Sequence, residues 1–239
     1  MGKKWTIVTG AGSGMGQAFA RRFIAAGWGV LAMDLSSEGL AALSPQDGLI
    51  TAVVDVADRA AVARAIKEAG IGPDLHAAVT AAGIFPPTTL ADYTEEKFTK
   101  IMSVNVLGTL NVAAEAISVM QSHGTKGAIV TISSADAFTA STGQLVYSAS
   151  KAAVVSLTRV LAATVAASDI TVNGIAPGWV NTPGNAATGR MVGAEKHIPL
   201  GRVAQPDEIG QWVWTLASRE GAPFVTGETI KVTGGELMS

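Results

Sequence analysis

The stretch that decides the architecture is Thr9-Gly10-Ala11-Gly12-Ser13-Gly14-Met15-Gly16. It follows a short apolar run, Trp5-Thr6-Ile7-Val8, and opens a helical pattern over 14–27 that stops at Gly27. Glycine at alternate positions lets the chain reverse tightly between a strand and a helix and lets other backbone come close. It also leaves the first N–H groups of the helix uncovered, where they and the helix dipole favour an anion.

Working outward, strand-like and helix-like segments alternate. Strands are expected at 5–9, 29–34, 49–54, 75–80, 127–133, 170–175 and 229–232, and helices at 14–27, 37–43, 58–69 (with Asp58 as cap), 94–122, 147–167 and from 206. The strand runs lack a polar alternate face, which indicates a parallel sheet covered by helices on both sides. The expected fold is therefore α/β, a Rossmann-like doubly wound parallel sheet in a single domain over 1–239. An irregular Gly/Pro-rich segment at about 178–205 is the expected lid, because ligands in such sheets lie beyond the carboxyl ends of the strands.

Composition narrows the function. Of 239 residues, 48% are hydrophobic and 15% charged, enough to build a large core. A net charge of -2 argues against a nucleic-acid partner. With no cysteine there is no disulfide or thiol nucleophile, and His76, His123 and His197 are scattered, so no metal is expected. The opening Met-Gly-Lys-Lys-Trp-Thr fits an acylation pattern, but Thr6 already belongs to the first strand, so no lipid anchor is expected. No signal peptide and no membrane span is read, and a cytoplasmic location is expected.

Asp34 ends the second strand, 18 residues after Gly16. A carboxylate there accepts hydrogen bonds from ribose hydroxyls and repels a 2′-phosphate. Leu35, Ser36 and Ser37 follow without a basic residue, and Ser13 occupies the turn position from which a base would reach that phosphate. The cofactor expected is NAD rather than NADP. Asp55 and Val56, after the third strand, fit the adenine edge, although Asp55 reads equally well as a turn residue.

Tyr147 and Lys151 stand four apart at a helix start and share a face. A free phenol titrates near pH 10, and a neighbouring ammonium lowers that value toward a working base. Ser134 ends the fifth strand 13 residues earlier and opens onto the same crevice. Asn105 interrupts an apolar helical run, where a buried amide needs partners. It is read either as the holder of a water linked to Lys151 or as a helix kink or local cap.

Taken together, these residues resemble the short-chain dehydrogenase/reductase family, in its compact branch of roughly 250 residues, from Thr9 to Gly235. The resemblance implies that Gly10, Gly14 and Gly16, with Ser13 and Met15, form the cofactor turn, and that Asn105, Ser134, Tyr147 and Lys151 form the catalytic tetrad. It implies that Ala81, Ala82 and Gly83 flank the adenosine side, and that Pro177, Gly178, Val180 and Thr182 lie at the nicotinamide. In place of the family's Asn-Asn-Ala-Gly the chain has Thr80-Ala81-Ala82-Gly83, which puts stability rather than chemistry in question. The substrate pocket is expected to hold Asp136, Ala137, Phe138, Gln144, Ile84, Phe85, Trp179, Asn185 and Met191, favouring a small polar or hydroxylated alcohol or ketone.

The alternatives weighed are a 3-oxoacyl reductase-type activity, a non-catalytic NAD-binding sensor or scaffold, and a sugar-nucleotide epimerase. The resemblance further implies a homotetramer built on helices 94–122 and 147–167, with Ala113, Ala114, Ala152, Ala153, Ala162 and Ala163 allowing close approach.

Overall fold

The computed structural model describes residues 2–238. Seven strands form one all-parallel sheet in the order β3-β2-β1-β4-β5-β6-β7: β1 (Trp5–Thr9), β2 (Gly29–Asp34), β3 (Leu49–Val53), β4 (Leu75–Thr80), β5 (Ala128–Ile132), β6 (Thr171–Pro177) and β7 (Thr229–Val232). The order reverses between β1 and β4, so a crevice opens where their C-terminal ends diverge. The helices are α1 (Gly14–Ala25), α2 (Ser37–Ala41), α3 (Arg59–Ala69), α4 (Glu95–Met102), α5 (Gly108–His123), α6 (Leu145–Val165), α7 (Pro183–Ala187) and α8 (Pro206–Ser218).

Successive strand residues point to opposite faces. Ile7, Leu31 and Met33 enter one core with residues of α3, α5 and α6, whereas Val8, Val30 and Ala32 enter the other with α1 and α8. Both cores are apolar, so the central strands read as continuous hydrophobic runs. On α1, Phe19 and Phe23 are fully buried against the second core, each contributing about 1.5–3 kcal/mol relative to exposure. The edge strands β3 and β7 are only part-covered.

Sequence-based boundaries agree to within a few residues, and Asp58 caps α3 by accepting from the Ala61 N–H at 3.0 Å. The expected helix 94–122 departs from regularity. A π-helical turn over Ser103–Leu107 separates α4 from α5, with Asn105 at its centre. The two long helical stretches, Glu95–His123 and Leu145–Ser168, are long and apolar enough to cross a membrane by length and composition, a property that core helices share. Their apolar sides pack on the sheet instead: Val112, Ala116 and Met120 of α5 and Val154 and Val165 of α6 are buried.

The six alanines expected to face outward divide. Ala113 and Ala162 are buried in the first core, whereas Ala152 and Ala163 are exposed and Ala114 and Ala153 half-buried.

Asn111 ties the loop after β3 to α5. It is buried, and its amide donates to the carbonyls of Val56 at 2.9 Å and Ala57 at 3.2 Å. Replacing it by alanine leaves two carbonyls without a donor in a region water does not reach freely. Asn111→Ala is expected to cost about 1–3 kcal/mol and to lower the thermal midpoint by about 2–4 °C per kcal/mol. An unchanged midpoint in thermal unfolding refutes this role.

Candidate active site

A cleft of about 560 Å³ runs along the C-terminal ends of β1, β2, β4, β5 and β6. At one end lies the glycine turn. Gly10 has φ +67, and a Cβ there would stand 3.0 Å from the Ala81 carbonyl, so the turn and the β4 end touch through bare backbone. Ser13 caps α1 in extended conformation without a side-chain hydrogen bond, and so leaves the first N–H groups of α1 open to the cleft. Such a terminus favours an anion.

Asp34 has a double role that the sequence did not reveal. Its carboxylate accepts from the Gly12 N–H and from the Ser36 N–H, each at 2.9 Å. It therefore clamps the turn while remaining on the cleft wall beside Leu35. Lys151 and Arg190 are the basic side chains of the described cleft lining, and neither is close in sequence to Asp34. Open N–H groups, a backbone cradle and a carboxylate at the far end suit the pyrophosphate and ribose of a dinucleotide.

Val54, Asp55 and Val56 line the same end. Asp55 is an exposed turn residue whose carboxylate accepts from the Ala57 N–H at 2.9 Å, so the turn reading accounts for its side chain. Ala81, Ala82 and Gly83 form the wall after β4. The Thr9 hydroxyl accepts from the Ala82 N–H at 3.0 Å and ties β1 to this wall, whereas the buried Thr80 hydroxyl has no partner.

Lys151 is buried behind the cleft. Its Nζ donates to the Ile132 carbonyl at 2.9 Å, and a Cβ on Gly83 would lie 3.3 Å from it. Its own carbonyl accepts from the Ser133 hydroxyl at 2.8 Å, fixing α6 against the end of β5.

Asn105, fully buried, has its amide oxygen 2.8 Å from the Ile84 N–H and its amide nitrogen 2.9 Å from the Ile84 carbonyl and 3.0 Å from the Ser150 hydroxyl. Its side chain therefore holds the β4–α4 loop at Ile84. The kink reading is also met, since Asn105 sits in the π turn and its carbonyl accepts from Thr109 Oγ1 at 2.8 Å.

Tyr147 projects into the cleft near Ser134, edge-on to Phe85 with ring centroids 6.0 Å apart. Lys151 Nζ lies 5.8 Å from the Tyr147 ring centroid. The sequence reading had the ammonium lowering the phenol pKa. Here burial dominates and pushes the Tyr147 phenol up to about 12; the Ser134 hydroxyl and the Arg190 charge oppose that rise, and the Asp136 charge adds to it. Burial pushes Lys151 down to about 8.

The substrate end differs from expectation in several places. Asp136, Ile84, Phe85, Trp179 and Asn185 line the cleft, but Ala137, Phe138, Gln144 and Met191 do not. Phe138 is exposed, with Lys231 Nζ 5.3 Å from its ring centroid. Gln144 is fully buried and donates to the Phe85 carbonyl at 3.4 Å, so it supports the pocket from behind.

Asn185 faces the cleft, yet its amide donates to the Val180 carbonyl at 2.8 Å, and the Thr182 hydroxyl caps α7 by accepting from the Asn185 N–H at 3.2 Å. Sequence reasoning missed Thr139, Ser141, Arg190 and Glu236 as lining residues. Arg190 and Glu236 stand alone in irregular segments, where no periodicity indicates direction.

Segment 178–205 starts from a fixed base. The Ala204 N–H donates to the Trp179 carbonyl at 2.9 Å and the Asn181 N–H to the Ala204 carbonyl at 2.8 Å, closing a loop over the cleft.

The family model described as enoyl-(acyl carrier protein) reductase matches residues 10–236. Among curated proteins, the chain is 33% identical to "3-oxoacyl-[acyl-carrier-protein] reductase FabG" of Thermotoga maritima, over 97% of each chain. It is 35% identical to an uncharacterized short-chain type dehydrogenase/reductase of Sinorhizobium fredii, covering 96% of this chain but only 43% of that protein's length. Of the solved structures, a 3-ketoacyl-(acyl-carrier-protein) reductase from Brucella melitensis complexed with NADH superposes with TM-score 0.91 at 27% identity, over 98% of each chain. "ElxO with NADP Bound" gives TM-score 0.90 at 26% identity, over 98% of this chain and 99% of that one.

The buried lysine makes stability pH-dependent. Between pH 8 and 10.5 Lys151 has lost its proton in the folded protein but keeps it unfolded. The unfolded state then binds more protons, so stability rises with pH across that window. Above pH 10 the raised Tyr147 value reverses the sign, because the folded state holds its phenol proton up to about 12. In denaturant titrations without ligand, wild type is expected to gain stability relative to Lys151→Met between pH 8 and 10. Parallel curves for the two proteins would contradict the assignment.

Proposed function

This chain belongs to the short-chain dehydrogenase/reductase family, and we propose that it is an NAD(H)-dependent oxidoreductase acting on a small polar secondary alcohol or the corresponding ketone. The observation that carries this reading is the convergence of Ser134, Tyr147 and Lys151 on one cleft whose far end is the glycine turn with Asp34. When bound, the nicotinamide supplies or accepts the hydride.

The chain's own residues handle the rest. Gly10, Ser13, Gly14, Met15 and Gly16 receive the pyrophosphate, and Asp34 and Leu35 the adenosine ribose. Val56, Ala81, Ala82 and Gly83 pack beside the adenosine, and Pro177, Gly178, Val180 and Thr182 hold the nicotinamide end. Ser134 donates to the substrate oxygen as charge develops on it. Tyr147 takes the alcohol proton in oxidation and returns it in reduction. Lys151 turns an ammonium toward the ribose and the phenol from a position that Ile132 and Gly83 define. Asn105 is a positioning residue that sets the loop at Ile84. Residues 178–205 act as the lid.

NAD is preferred because an added 2′-phosphate would meet the Asp34 carboxylate, and among the described residues the cleft wall beside Asp34 and Leu35 carries no lysine or arginine next to them in sequence. The solved relatives include one with NADH and one with NADP, so the carboxylate at Asp34 is what supports the choice here.

A 3-oxoacyl reductase-type activity is the second reading, favoured by the name of the Thermotoga maritima relative. Against it, the cations near the end of α6 are engaged: Lys126 and Arg219 both pair with Asp169, at 3.1 and 2.7 Å, and offer little to an acidic carrier. A non-catalytic scaffold has no need of a phenol and a buried ammonium facing one cleft. The protein acts in the cytoplasm as a homotetramer built on the exposed faces of α4, α5 and α6, without nucleic-acid or membrane partners.

Incubation with NAD+ and a panel of secondary alcohols, followed by absorbance of the reduced cofactor, tests the reading. Tyr147→Phe is expected to lower kcat by about 10²–10⁴-fold while dinucleotide binding persists. Turnover by Tyr147→Phe at the wild-type rate overturns it. Asp34→Ala is expected to reduce the preference for NAD over NADP by on the order of tenfold, the effect of about 1.4 kcal/mol. An unchanged ratio removes Asp34 from cofactor selection.

A further inference from the structure

We propose that Arg190 selects the substrate by forking onto a carboxylate carried on the same small molecule as the reacting hydroxyl, so that the substrate is a short hydroxy acid or its oxo acid. This rests on the hydride-transfer reading above and names its substrate class.

Arg190 lies in the segment that covers the cleft, and its guanidinium lines the same cavity as Tyr147. It is half-buried, with its central carbon 5.4 Å from the Trp179 ring centroid. One nitrogen, Nη2, donates to the Ser141 hydroxyl at 3.3 Å. A guanidinium carries five N–H donors in a fixed plane, so most of its donor edge remains open.

Among the described residues, no carboxylate lies within 4.0 Å of it. By contrast, Arg59, Arg202 and Arg219 are each paired to a carboxylate at 2.6–2.7 Å. An arginine resting on an aromatic plate, anchored at one nitrogen and open at the rest, is organised for a planar two-oxygen acceptor.

The groups facing it do not close that fork. Asp136 and Glu236 share the cleft wall; burial raises both carboxyls, and the Arg190 charge and the Ser141 hydroxyl pull Asp136 back down, so Asp136 feels the guanidinium without pairing to it. Lys151 is directed to the Ile132 carbonyl.

The geometry also limits size. Arg190 and Tyr147 line the same cleft, so one small molecule can meet the guanidinium and the phenol together. The same cleft also holds the glycine turn and Asp34 at its other end, so the substrate has only the end beside Tyr147 and Arg190.

The test compares kcat/KM for short straight-chain hydroxy acids and for their methyl esters, which lack the charge, on wild type and on Arg190→Met. The best acid is expected to exceed its ester by at least about tenfold in wild type, and Arg190→Met to reduce that ratio by about tenfold or more. Acid and ester are measured on the same protein, so a general loss of folding lowers both and leaves the ratio unchanged. A wild type without acid preference, or a ratio unaltered in Arg190→Met, overturns the role of Arg190. If neutral secondary alcohols are still oxidised in a Tyr147-dependent way, the oxidoreductase reading survives that failure. If no alcohol of either set reduces NAD+ or NADP+, both fall together.

Discussion

An ammonium kept out of water organises the site. Lys151 is 5% exposed and gives one hydrogen bond to the Ile132 carbonyl, and among the described residues no carboxylate is paired to it. A buried cation without a counter-ion is costly unless its surroundings are arranged to receive it. The arrangement here draws on three elements. The end of β5 supplies the carbonyl, Ser133 locks the α6 backbone, and Gly83 leaves the space that any side chain would fill. The π turn at Asn105 belongs to the same construction, since it delivers an amide that fastens Ile84, the residue after Gly83. A regular helix would carry Asn105 on a different heading.

The same burial works against the phenol. Among the protein's own groups, Tyr147 is pushed up to about 12 and Lys151 down to about 8, so both lean to their neutral forms. A proton acceptor working near neutrality needs the opposite from Tyr147. The protein supplies part of the correction through the Ser134 hydroxyl and the Arg190 charge. On the proposed reading, the remainder comes from positive charge brought in with the bound dinucleotide. Binding and proton transfer are then coupled: the base is poor until the partner that takes the hydride is in place.

The order of strands and helices was readable because strand-length apolar runs alternate with helix-period segments, and because glycines mark the first turn. The proposed catalytic residues were readable only as a set. Tyr147 and Lys151 alone are a common helical spacing, and Ser134 at a strand end gave them context. Long-range pairings were out of reach. Nothing near Asp34 in sequence shows that its carboxylate holds the Gly12 N–H, and nothing near Asn105 names Ile84 and Ser150 as its partners. The pocket beyond Tyr147 was read least well. Gln144 and Phe138 lie close to Tyr147 along the chain but turn away from the cleft, while Arg190 enters from a loop whose path depends on the Val180–Ala204 closure. Proximity in sequence predicts direction inside a helix or strand, not across an irregular segment.

The central claim is that positive charge arriving with the oxidised dinucleotide converts a half-buried neutral phenol into a usable base. Phenolate absorbance, titrated with pH with and without NAD+ and with Tyr147→Phe subtracted at every point, measures this directly. The account predicts a Tyr147 midpoint near 12 in the free protein that falls by at least one unit on saturation with NAD+, in line with the effect of a nearby opposite charge. A midpoint that stays where it was when NAD+ is bound would contradict it.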